Sequence, residues 1–407
     1  MIPVEEALER ILSRIAVLGD ERVALIEALD RVLAEPVVAE RDVPPWPNSS
    51  MDGYALRAAD TGGADPARPA RLTLAGQVAA GRLAERPLRP GETFRIFTGA
   101  PLPEGADAVI PQEDVTVEGT SVRVPRALRS GDYVRPRGED MRPGDRLFEP
   151  GRALSPADLG VLATVGRSRV AVIRRPVVGI LSTGDEIADL GTPIGPGQIP
   201  NSNTYSLMGQ VRAAGAEPLN LGVARDRQDE IEARLAWGLG ADLLISSAGV
   251  SVGDHDHVKA ALGALGAEQH LWLVDMRPGK PVTFATLPAS PKRTLPIFGL
   301  PGNPVSAMVT FELFVRPAIR RMSGHARLGR PVRLARALAP IDNPGRRRGY
   351  LRVALSEEDG VLGARLTGEQ GSGILRSMSA ADGLAIVPGD TTVQVGETVP
   401  VMLLRES

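Results

Sequence analysis

Apolar residues recur at helical spacing in two N-terminal stretches. Between residues 3 and 18 they fall every third or fourth position, which predicts an amphipathic helix that ends at Gly19. A second apolar series predicts another helix over 23–33. A third helix is predicted to begin at Ser155-Pro156 and to extend to about residue 165. Serine is favoured at the N-cap of a helix, and proline suits the first helical position.

Two other stretches alternate between apolar and polar residues and are rich in turn-forming residues. Residues 42–145 carry many prolines and glycines, with alternating segments at 72–78, 92–97 and 120–124. Residues 327–407 have a similar character. We therefore predict an irregular β-rich domain in the first stretch and a β domain in the second.

Residues 174–325 alternate between short apolar runs and helical patterns. The apolar runs are Val177–Ser182, Leu219–Val223, Leu243–Ser246 and Leu271–Val274. The helical patterns cover 203–214, 227–239, 255–263 and 304–322. This βαβα rhythm predicts a mostly parallel sheet with helices on both faces, a three-layer α/β/α domain.

The predicted fold class is therefore multidomain, with α/β and β parts. A helical domain is predicted to be discontinuous, because helical patterns flank the irregular stretch on both sides. The four predicted domains cover 1–41 plus 146–173 (helical), 42–145 (irregular β-rich), 174–326 (α/β) and 327–407 (C-terminal β).

Composition narrows the range of functions. The chain has 47 Lys and Arg against 49 Asp and Glu, a net charge of −2, which argues against binding nucleic acid through a basic surface. It has no Cys, which excludes disulfides, iron–sulfur clusters and cysteine nucleophiles, and only four His. No apolar run approaches the ~20 residues of a membrane span, and the first residues lack signal-peptide features. We expect a cytoplasmic protein without a membrane anchor.

Four motifs with candidate chemistry follow predicted strands of the α/β domain. Ligands of open α/β sheets bind at the carboxyl ends of strands, so these loops predict a binding site, although glycine-rich turns are also common as simple connections. The motifs are Thr183-Gly184-Asp185-Glu186, the run Ser246–Asp256, Arg277-Pro278-Gly279-Lys280-Pro281 and Gly299-Leu300-Pro301-Gly302-Asn303-Pro304-Val305-Ser306.

The last two motifs favour an anionic ligand. Asn303 is a good N-cap and Pro304 suits the first helical position, so this helix start would offer unpaired N–H groups to an anion. Lys280, between Gly279 and Pro281, would place an ammonium group in a stiff loop. The alternatives are a well-capped helix without a ligand and a solvated surface lysine.

The irregular β-rich domain adds carboxylates and a hydroxyl in turns. Asp52 precedes a glycine, Thr98 lies in a Gly- and Pro-rich turn, and Asp140 ends a short acidic run. Aspartate also stabilises turns by capping its own backbone, so a purely structural role is the alternative for both acids. The residues alone thus predict a multidomain α/β protein with an anion pocket.

Five long motifs in order resemble the molybdopterin molybdenumtransferase (MoeA) family, which includes the gephyrin E domain. They are Pro47–Ala55, Thr98–Val109, Ser182–Glu186, Gly249–Asp254 and Gly299–Ser306, and the resemblance as a whole extends through all four predicted domains in the family's order. The resemblance implies insertion of molybdate into adenylylated molybdopterin with release of AMP, assisted by Mg²⁺. It also implies a molybdopterin-binding central domain, a barrel-like C-terminal domain and a homodimer whose active site is shared between chains. A molybdopterin adenylyltransferase would be a partner protein.

The resemblance also implies roles for particular residues. The matches to catalytic positions are Asp52, Thr98, Asp140, Glu186, Asp226, Asp256 and Lys280, with Asp52, Glu186 and Asp256 as metal ligands. The matches to substrate-binding or molybdate-binding positions are Arg277, Lys280, Pro281, Ser306, Arg347, Ser372, Thr183, Gly184, Ser247, Gly249, Gly253, Gly302 and Asn303. The molybdate arginine is to be chosen among Arg346, Arg347 and Arg348, with Arg347 fitting the spacing best. Arg277 stands where the family commonly has a lysine.

The excess of carboxylates in this set requires a cation. Bare carboxylates repel molybdate and a pyrophosphate link by about 1 kcal/mol per pair at 4 Å in water, and by more when desolvated. Mg²⁺, a hard ion that takes oxygen ligands, would offset this repulsion. Three alternatives stay open: a non-catalytic molybdopterin carrier or scaffold, the sister adenylyltransferase activity, and a tungstate-specific relative.

Overall fold

A computed structural model describes residues 1–247, 257–290 and 293–405 of the chain. These residues form two compact units, described separately below. The larger unit comprises Met1–Arg22, Asp30–Ala34 and Ala171–Ser407, and the smaller unit comprises Val23–Leu29 and Glu35–Val170. In the described ranges, no helix is both long and apolar enough to cross a membrane. The four domain boundaries of the sequence analysis stay a prediction.

The N-terminal helix is shorter than predicted. Helix α1 (Val4–Leu12) buries Val4, Ala7 and Ile11, as the spacing requires. The apolar pattern continues past the helix end because Ile15, which follows it, is also buried. Periodicity therefore identified the buried face but overestimated the length.

The helix predicted over 23–33 is wrong. Strand β1 (Asp20–Ala24) and a short 3₁₀ turn occupy this stretch. Ile26, one of the residues in the apolar series, is 78% exposed, so the series does not mark a buried face. Asp30 has a φ of 59°, a left-handed conformation that a helix does not accommodate.

The smaller unit is built of short strands, as predicted. Its strands are β2 (Val37–Val38), β3 (Asn48–Ser49), β4 (Gly53–Leu56), β5 (Ala70–Val78), β6 (Glu92–Ile96), β7 (Ala108–Pro111), β8 (Thr116–Glu118), β9 (Ser121–Val124), β10 (Val134–Arg135) and β11 (Arg146–Phe148). Six of them form a mixed sheet in the order β7-β4-β6-β5-β9-β8. Helix α2 (Pro156–Thr164) begins at the predicted position, where Ser155 and Asp158 form a capping box.

The sheet of the smaller unit is buried on both faces. Tyr54 and Leu56 belong to one apolar cluster, and Ala55, which points to the opposite face, belongs to a second with Phe94. Gly53 has no room for a side chain, since a Cβ atom there would lie 2.0 Å from the carbonyl oxygen of Ile110. This close approach fixes the backbone beside Asp52.

The larger unit contains the predicted α/β sheet. The strands of this region are β12 (Arg169–Ile173), whose first two residues belong to the smaller unit, β13 (Val177–Thr183), β14 (Ile187–Ala188), β15 (Ile199–Pro200), β16 (Glu217–Ala224), β17 (Leu243–Ser247), β18 (Glu268–Leu273), β19 (Met276–Arg277), β20 (Pro281–Ser290) and β21 (Arg293–Leu300). The main sheet has the order β16-β13-β17-β21-β20-β18. The first four strands are parallel, and β16 is an edge strand whose register shifts between Ile180 and Ser182 of its neighbour.

One part of this sheet differs from the prediction. Strands β20 and β21 pair antiparallel, and β18 pairs antiparallel with β20 at the edge. The predicted strand at 271–274 is therefore followed by a hairpin rather than by a helical crossover. Two antiparallel pairings separate β18 from β21, so β18 runs in the same direction as β21. The loop after β18 therefore lies at the same edge of the sheet as the loops after β13, β17 and β21.

Helices cover both faces of the sheet, which confirms the three-layer prediction. Neighbouring strand residues alternate between two apolar clusters: Ile180 belongs to one and Leu181 to the other. The first cluster includes Leu207 and Phe311, and the second includes Leu235. The helices of this region are α3 (Ser202–Ala213), α4 (Gln228–Trp237), α5 (His257–Ala264), α6 (Pro304–Thr310) and α7 (Arg316–Met322), with a π-helical turn over Phe311–Val315 between the last two.

The C-terminal part of the larger unit is a closed five-stranded barrel. The strands of this part are β22 (Val332–Ala337), β23 (Ile341–Asn343), β24 (Arg348–Glu358), β25 (Val361–Leu366), β26 (Gly383–Val387), β27 (Thr391–Val393) and β28 (Thr398–Leu403), with helix α8 (Leu375–Ser379) between β25 and β26. Strands β23 and β27 pair with each other outside the barrel, and the other five form it. Pairing runs around the ring β22-β28-β26-β24-β25, and β25 returns to β22. Strand β19 of the α/β region pairs in parallel with β24.

A buried arginine organises the loop that follows β25. Arg352 is fully buried, and its guanidinium donates to the carbonyl oxygens of Glu369, Gln370 and Gly371 at 3.0–3.2 Å and to the hydroxyl of Ser377 at 2.9 Å. Burial and the charge of Arg277 lower the pKa of Arg352 to about 10. The side chain remains charged at neutral pH and holds the 369–371 backbone in place.

Substitution of this arginine tests its role in the barrel. Arg352→Met would leave three partly buried carbonyl groups without their donor and would remove the bond to Ser377, and we expect the free energy of unfolding to fall by about 2–4 kcal/mol. The matched control is Arg365→Met on the exposed face of β25, which should change stability by less than about 0.5 kcal/mol. Urea denaturation measures both, and equal effects would contradict the assignment.

Candidate functional site

Parallel register brings the predicted strand-end motifs of the larger unit together. Ser182 of β13 lies beside Ser247 of β17, and Ser247 lies beside Leu300 of β21. The loops that follow these strands surround a cavity of about 680 Å³, called here the sheet-edge cavity. It is lined by Ser182, Thr183, Glu186, Ile187, Ile199, Pro200, Asn201, Ser202, Asn203, Ser247, Gly302, Asn303, Pro304 and Gly373.

The start of helix α3 ties these strand ends to one another. The side-chain amide of Asn203 (Nδ2) donates to the hydroxyl of Ser247 at 2.8 Å and to the carbonyl oxygen of Gly302 at 2.7 Å. The hydroxyl of Ser182 donates to Asn201 at 3.1 Å, which in turn caps α3. Among the described residues of the lining, Glu186 alone is charged, so hydroxyl, amide and apolar groups dominate this cavity.

A second, smaller cavity carries positive charge. This arginine pocket, of about 280 Å³, is lined by Arg277, Pro278, Gly279, Ser306, Arg347, Gln370, Gly371 and Ser372. None of these eight described residues is acidic. Gly279 has a φ of 101°, and a Cβ atom there would lie 2.5 Å from the Thr310 hydroxyl, so the loop passes α6 at a point that only glycine fits.

The two cavities adjoin across the start of helix α6. Gly302, Asn303 and Pro304 line the sheet-edge cavity, whereas Ser306 lines the arginine pocket. Asn303 is the N-cap as predicted but makes no capping bond with its side chain. Instead, the backbone N–H of Val305 donates to the carbonyl oxygen of Ser372 at 3.1 Å. The barrel loop thus occupies one of the N–H groups that were predicted to bind an anion.

Of the three candidate arginines, Arg347 lines the arginine pocket. Its guanidinium also donates to the carbonyl oxygen of Met276 at 3.2 Å. Arg348 pairs with Glu5, and Arg346 is exposed. Lys280 follows Gly279 with an exposed side chain, while its carbonyl oxygen accepts from Val274 at 2.9 Å. Pro281 begins strand β20.

Three carboxylates interact at the carboxyl ends of β13 and β16. Partial burial and the negative charges of Glu186 and Asp185 raise the pKa of Asp226. The backbone N–H of Asp226 donates to Asp185 at 3.4 Å. Oxygen donors that repel one another are the type of ligand set that Mg²⁺ takes. In the described ranges, however, no three acidic or histidine side chains are already arranged around a common point.

In the smaller unit, strand pairing joins Asp52 and Thr98. Gly53 of β4 pairs with Ile96 of β6, which places the two adjacent turns side by side. Both the backbone N–H and the hydroxyl of Thr98 donate to Asp52 at 2.8 Å. These two hydrogen bonds lower the pKa of Asp52, so its carboxylate is charged at neutral pH.

The remaining predicted residues fall into two groups. Asp140, also in the smaller unit, has an exposed side chain, and its backbone N–H donates to the carbonyl oxygen of Val43 at 2.9 Å. Gly249, Gly253 and Asp256 lie outside the described residues.

Sequence reasoning missed three residues that shape the site. Asp185 lies within a quoted motif, yet only the structure relates it to Asp226. Asn203 lies just after Asn201, and asparagines at such a place are expected to cap the helix. In the structure, its side chain instead joins the loops at Ser247 and Gly302. Arg352 carries no sequence signal at all, because an arginine in an alternating strand is expected to be exposed.

Comparisons with known proteins agree with this architecture. Three family models match: the MoeA N-terminal region (domain I and II) at residues 2–166, a probable molybdopterin binding domain at 179–321, and the MoeA C-terminal region (domain IV) at 334–404. The molybdopterin molybdenumtransferase of a Nostoc species is 39% identical over 94% of this chain and 88% of its own length. That of Bacillus subtilis is 37% identical over 100% and 94%.

A solved structure also resembles the whole chain. The crystal structure of the molybdopterin biosynthesis MoeA protein from Pyrococcus horikoshii is 32% identical, with a TM-score of 0.82 over 100% of both chains. Identity at this level over the full length, together with the three domain matches, establishes the relationship. This chain belongs to the MoeA family of molybdopterin molybdenumtransferases.

Proposed function

We propose that this chain inserts molybdate into adenylylated molybdopterin and releases AMP in molybdenum cofactor biosynthesis. The observation that carries the proposal is the pair of adjoining cavities in the larger unit. One is cationic and small, as a tetrahedral dianion requires, and the other is larger and mostly uncharged. An organic substrate in the sheet-edge cavity would therefore have molybdate beside it.

Molybdate is assigned to the arginine pocket. Arg277 and Arg347 each present planar guanidinium groups that can donate to two oxygens of one anion, and Ser306 and Ser372 add hydroxyl donors. Lys280 lies next in the loop and would supply a further charge to an incoming anion. An arginine at position 277 in place of the common lysine keeps the charge and adds directional hydrogen bonds.

Mg²⁺ is assigned to the acidic residues. Glu186 and Asp226, with Asp185 beside them, fit the ion, because partial burial and then the charges of Glu186 and Asp185 raise the pKa of Asp226 and a cation would relieve that repulsion. Asp52 and Asp256 are proposed as further ligands, with Asp140 and Thr98 positioning the substrate. The ion would neutralise the pyrophosphate link and polarise its phosphorus. Asp52, which Thr98 keeps ionised, is suited to this task.

The functional form is proposed to be a cytoplasmic homodimer. In this arrangement, Asp52, Thr98 and Asp140 of one protomer would serve the α/β region of its partner. The family resemblance supports this assignment. A molybdopterin adenylyltransferase is the proposed source of substrate, since it makes the adenylylated pterin.

Release of AMP tests the activity directly. Purified protein with adenylylated molybdopterin, Mg²⁺ and molybdate is expected to release AMP, and Asp52→Asn should slow the release at least tenfold because a metal-binding charge is lost. The matched control is Asp65→Asn in the same unit, which also removes a carboxylate that accepts backbone N–H groups but leaves the rate unchanged. Pterin binding without AMP release would support a non-catalytic carrier instead. If tungstate outcompetes molybdate in the same assay, the oxyanion substrate is tungstate rather than molybdate.

Thermal stability tests the metal assignment without an activity assay. Mg²⁺ at ten times its Kd should stabilise the wild type by about 1.4 kcal/mol and should not stabilise Asp226→Asn. Without metal, Asp226→Asn should unfold at a slightly higher temperature at pH 7, because a raised pKa means that the charged form of Asp226 destabilises the fold.

The pH dependence has a definite sign. A raised folded-state pKa contributes stability at low pH that is lost as pH rises, so the difference between Asp226→Asn and wild type should vanish below about pH 4. Asp229→Asn is the control, since the nearby guanidinium of Arg227 lowers the pKa of Asp229 instead. If Mg²⁺ stabilises Asp226→Asn as much as wild type, the ligand assignment is wrong.

Mixed dimers test the shared site. A heterodimer of an Asp52→Ala chain and a Lys280→Ala chain should recover about half of the wild-type AMP release, since one of its two sites would be intact. Each mutant homodimer should remain inactive under the same conditions. Absence of recovery, or a monomeric mass by light scattering, would contradict the shared arrangement.

A further inference from the structure

The larger unit holds a buried ion pair that the reaction does not use. Glu312, in the π-helical turn after α6, is 3% exposed. Its carboxylate accepts from Arg330 at 2.9 Å and from the amide nitrogen of Gln210 at 2.8 Å, and Arg316 lies 4.0 Å away. Arg330 belongs to the short segment between α7 and β22, so this ion pair joins the helix to the chain that enters the barrel.

The same helix also carries a residue of the arginine pocket. Ser306 and Glu312 are six residues apart on a continuous run of helical turns, a distance of about 9 Å along the axis. Gln210, the other partner of Glu312, belongs to α3, whose first turn lines the sheet-edge cavity. Glu312 therefore connects the two helices that begin at the cavities to the beginning of the barrel.

The two cavities depend differently on the position of the barrel. The arginine pocket takes Arg277, Pro278, Gly279 and Ser306 from the α/β region and Arg347, Gln370, Gly371 and Ser372 from the barrel. Every described residue of the sheet-edge cavity except Gly373 comes from the α/β region. Arg277 pairs through β19 with Gly349 of the barrel, and Arg347 bonds to the carbonyl oxygen of Met276, so these groups move with the barrel. A displacement of the barrel relative to helix α6 would move them away from Ser306 while leaving the sheet-edge cavity largely intact.

We propose that Glu312 and Arg330 are positioning residues for the oxyanion. Their ion pair fixes the barrel relative to the α6 helix and so sets the position of Ser306 against Arg277 and Arg347. Without Arg330, the buried Glu312 carboxylate would keep only the more distant cation of Arg316, at 4.0 Å. Such a poorly compensated buried charge is disfavoured, so removal of Arg330 shifts the segment that leads into the barrel. The inference rests on the proposed function only in naming molybdate as the anion.

The test compares two ion pairs of the same unit. Arg330→Met and Glu312→Gln are expected to raise the KM for molybdate five- to tenfold, with the KM for adenylylated molybdopterin changed by less than twofold. The double variant should resemble the single variants rather than multiply their effects, because both remove one interaction. Arg174→Met is the control. Arg174 forms a similar bidentate ion pair with the buried Asp242, and neither residue belongs to the barrel or to the segment that leads into it.

The controls separate positioning from stability. Arg174→Met should lower the Tm by a comparable amount and leave the KM for molybdate unchanged. An unchanged KM in Arg330→Met, or an equal rise in Arg174→Met, would overturn the proposal. If Arg330→Met does not fold, Arg330→Lys, which keeps the charge but loses the planar donor pair, decides by the same criterion with a two- to threefold rise expected.

Direct binding separates this inference from the activity. Calorimetric titration with molybdate alone should show a five- to tenfold weaker Kd for Arg330→Met than for wild type. If wild type binds molybdate but releases no AMP, the proposed activity fails and the positioning claim is still decided by this Kd. Equal Kd values in the two proteins would overturn the positioning claim.

Discussion

Parallel pairing of β13, β17 and β21 is the constraint on which the site of the larger unit depends. Because the register sets Ser182 beside Ser247 and Ser247 beside Leu300, three loops distant in sequence end at one edge. Burial on both faces fixes that register, since a shift by one residue would move Ile180 and Leu181 into each other's clusters. The helices α3 and α6 then start at the same edge, and Asn203 bonds the loops together.

Cationic and anionic side chains occupy different places in the larger unit. Cations line the arginine pocket, and the carboxylates of Asp185, Glu186 and Asp226 gather at the ends of β13 and β16. Mixed in one pocket, these groups would neutralise each other as ion pairs and leave no net attraction for an anion. Arg352 adds a permanent charge behind the 369–371 loop, where it bonds to carbonyl groups and no carboxylate competes for it among its observed partners.

The sequence predicted the layers better than the details. Apolar runs alternating with helical patterns located β13 and β17 closely, because a strand buried on both faces must be continuously apolar. The run at 219–223 also located β16, although this edge strand is only partly buried. The β20–β21 hairpin was missed, since apolar runs do not reveal strand direction. The series at 23–33 had helical spacing by chance, and Asp30 in a left-handed conformation overrides it. Long-range contacts such as Arg352 with 369–371 depend on tertiary structure that no local pattern encodes.

The edge strand β16 has a consequence for the behaviour of the protein in concentrated solution. An open strand edge invites pairing with another chain, and such pairing leads to aggregates. In β16, Pro218 lacks an N–H group, and the register shift opposite Ile180 and Ser182 distorts the ladder. The outer side of this strand is thereby a poor template for a further strand, which protects the sheet from pairing with another chain.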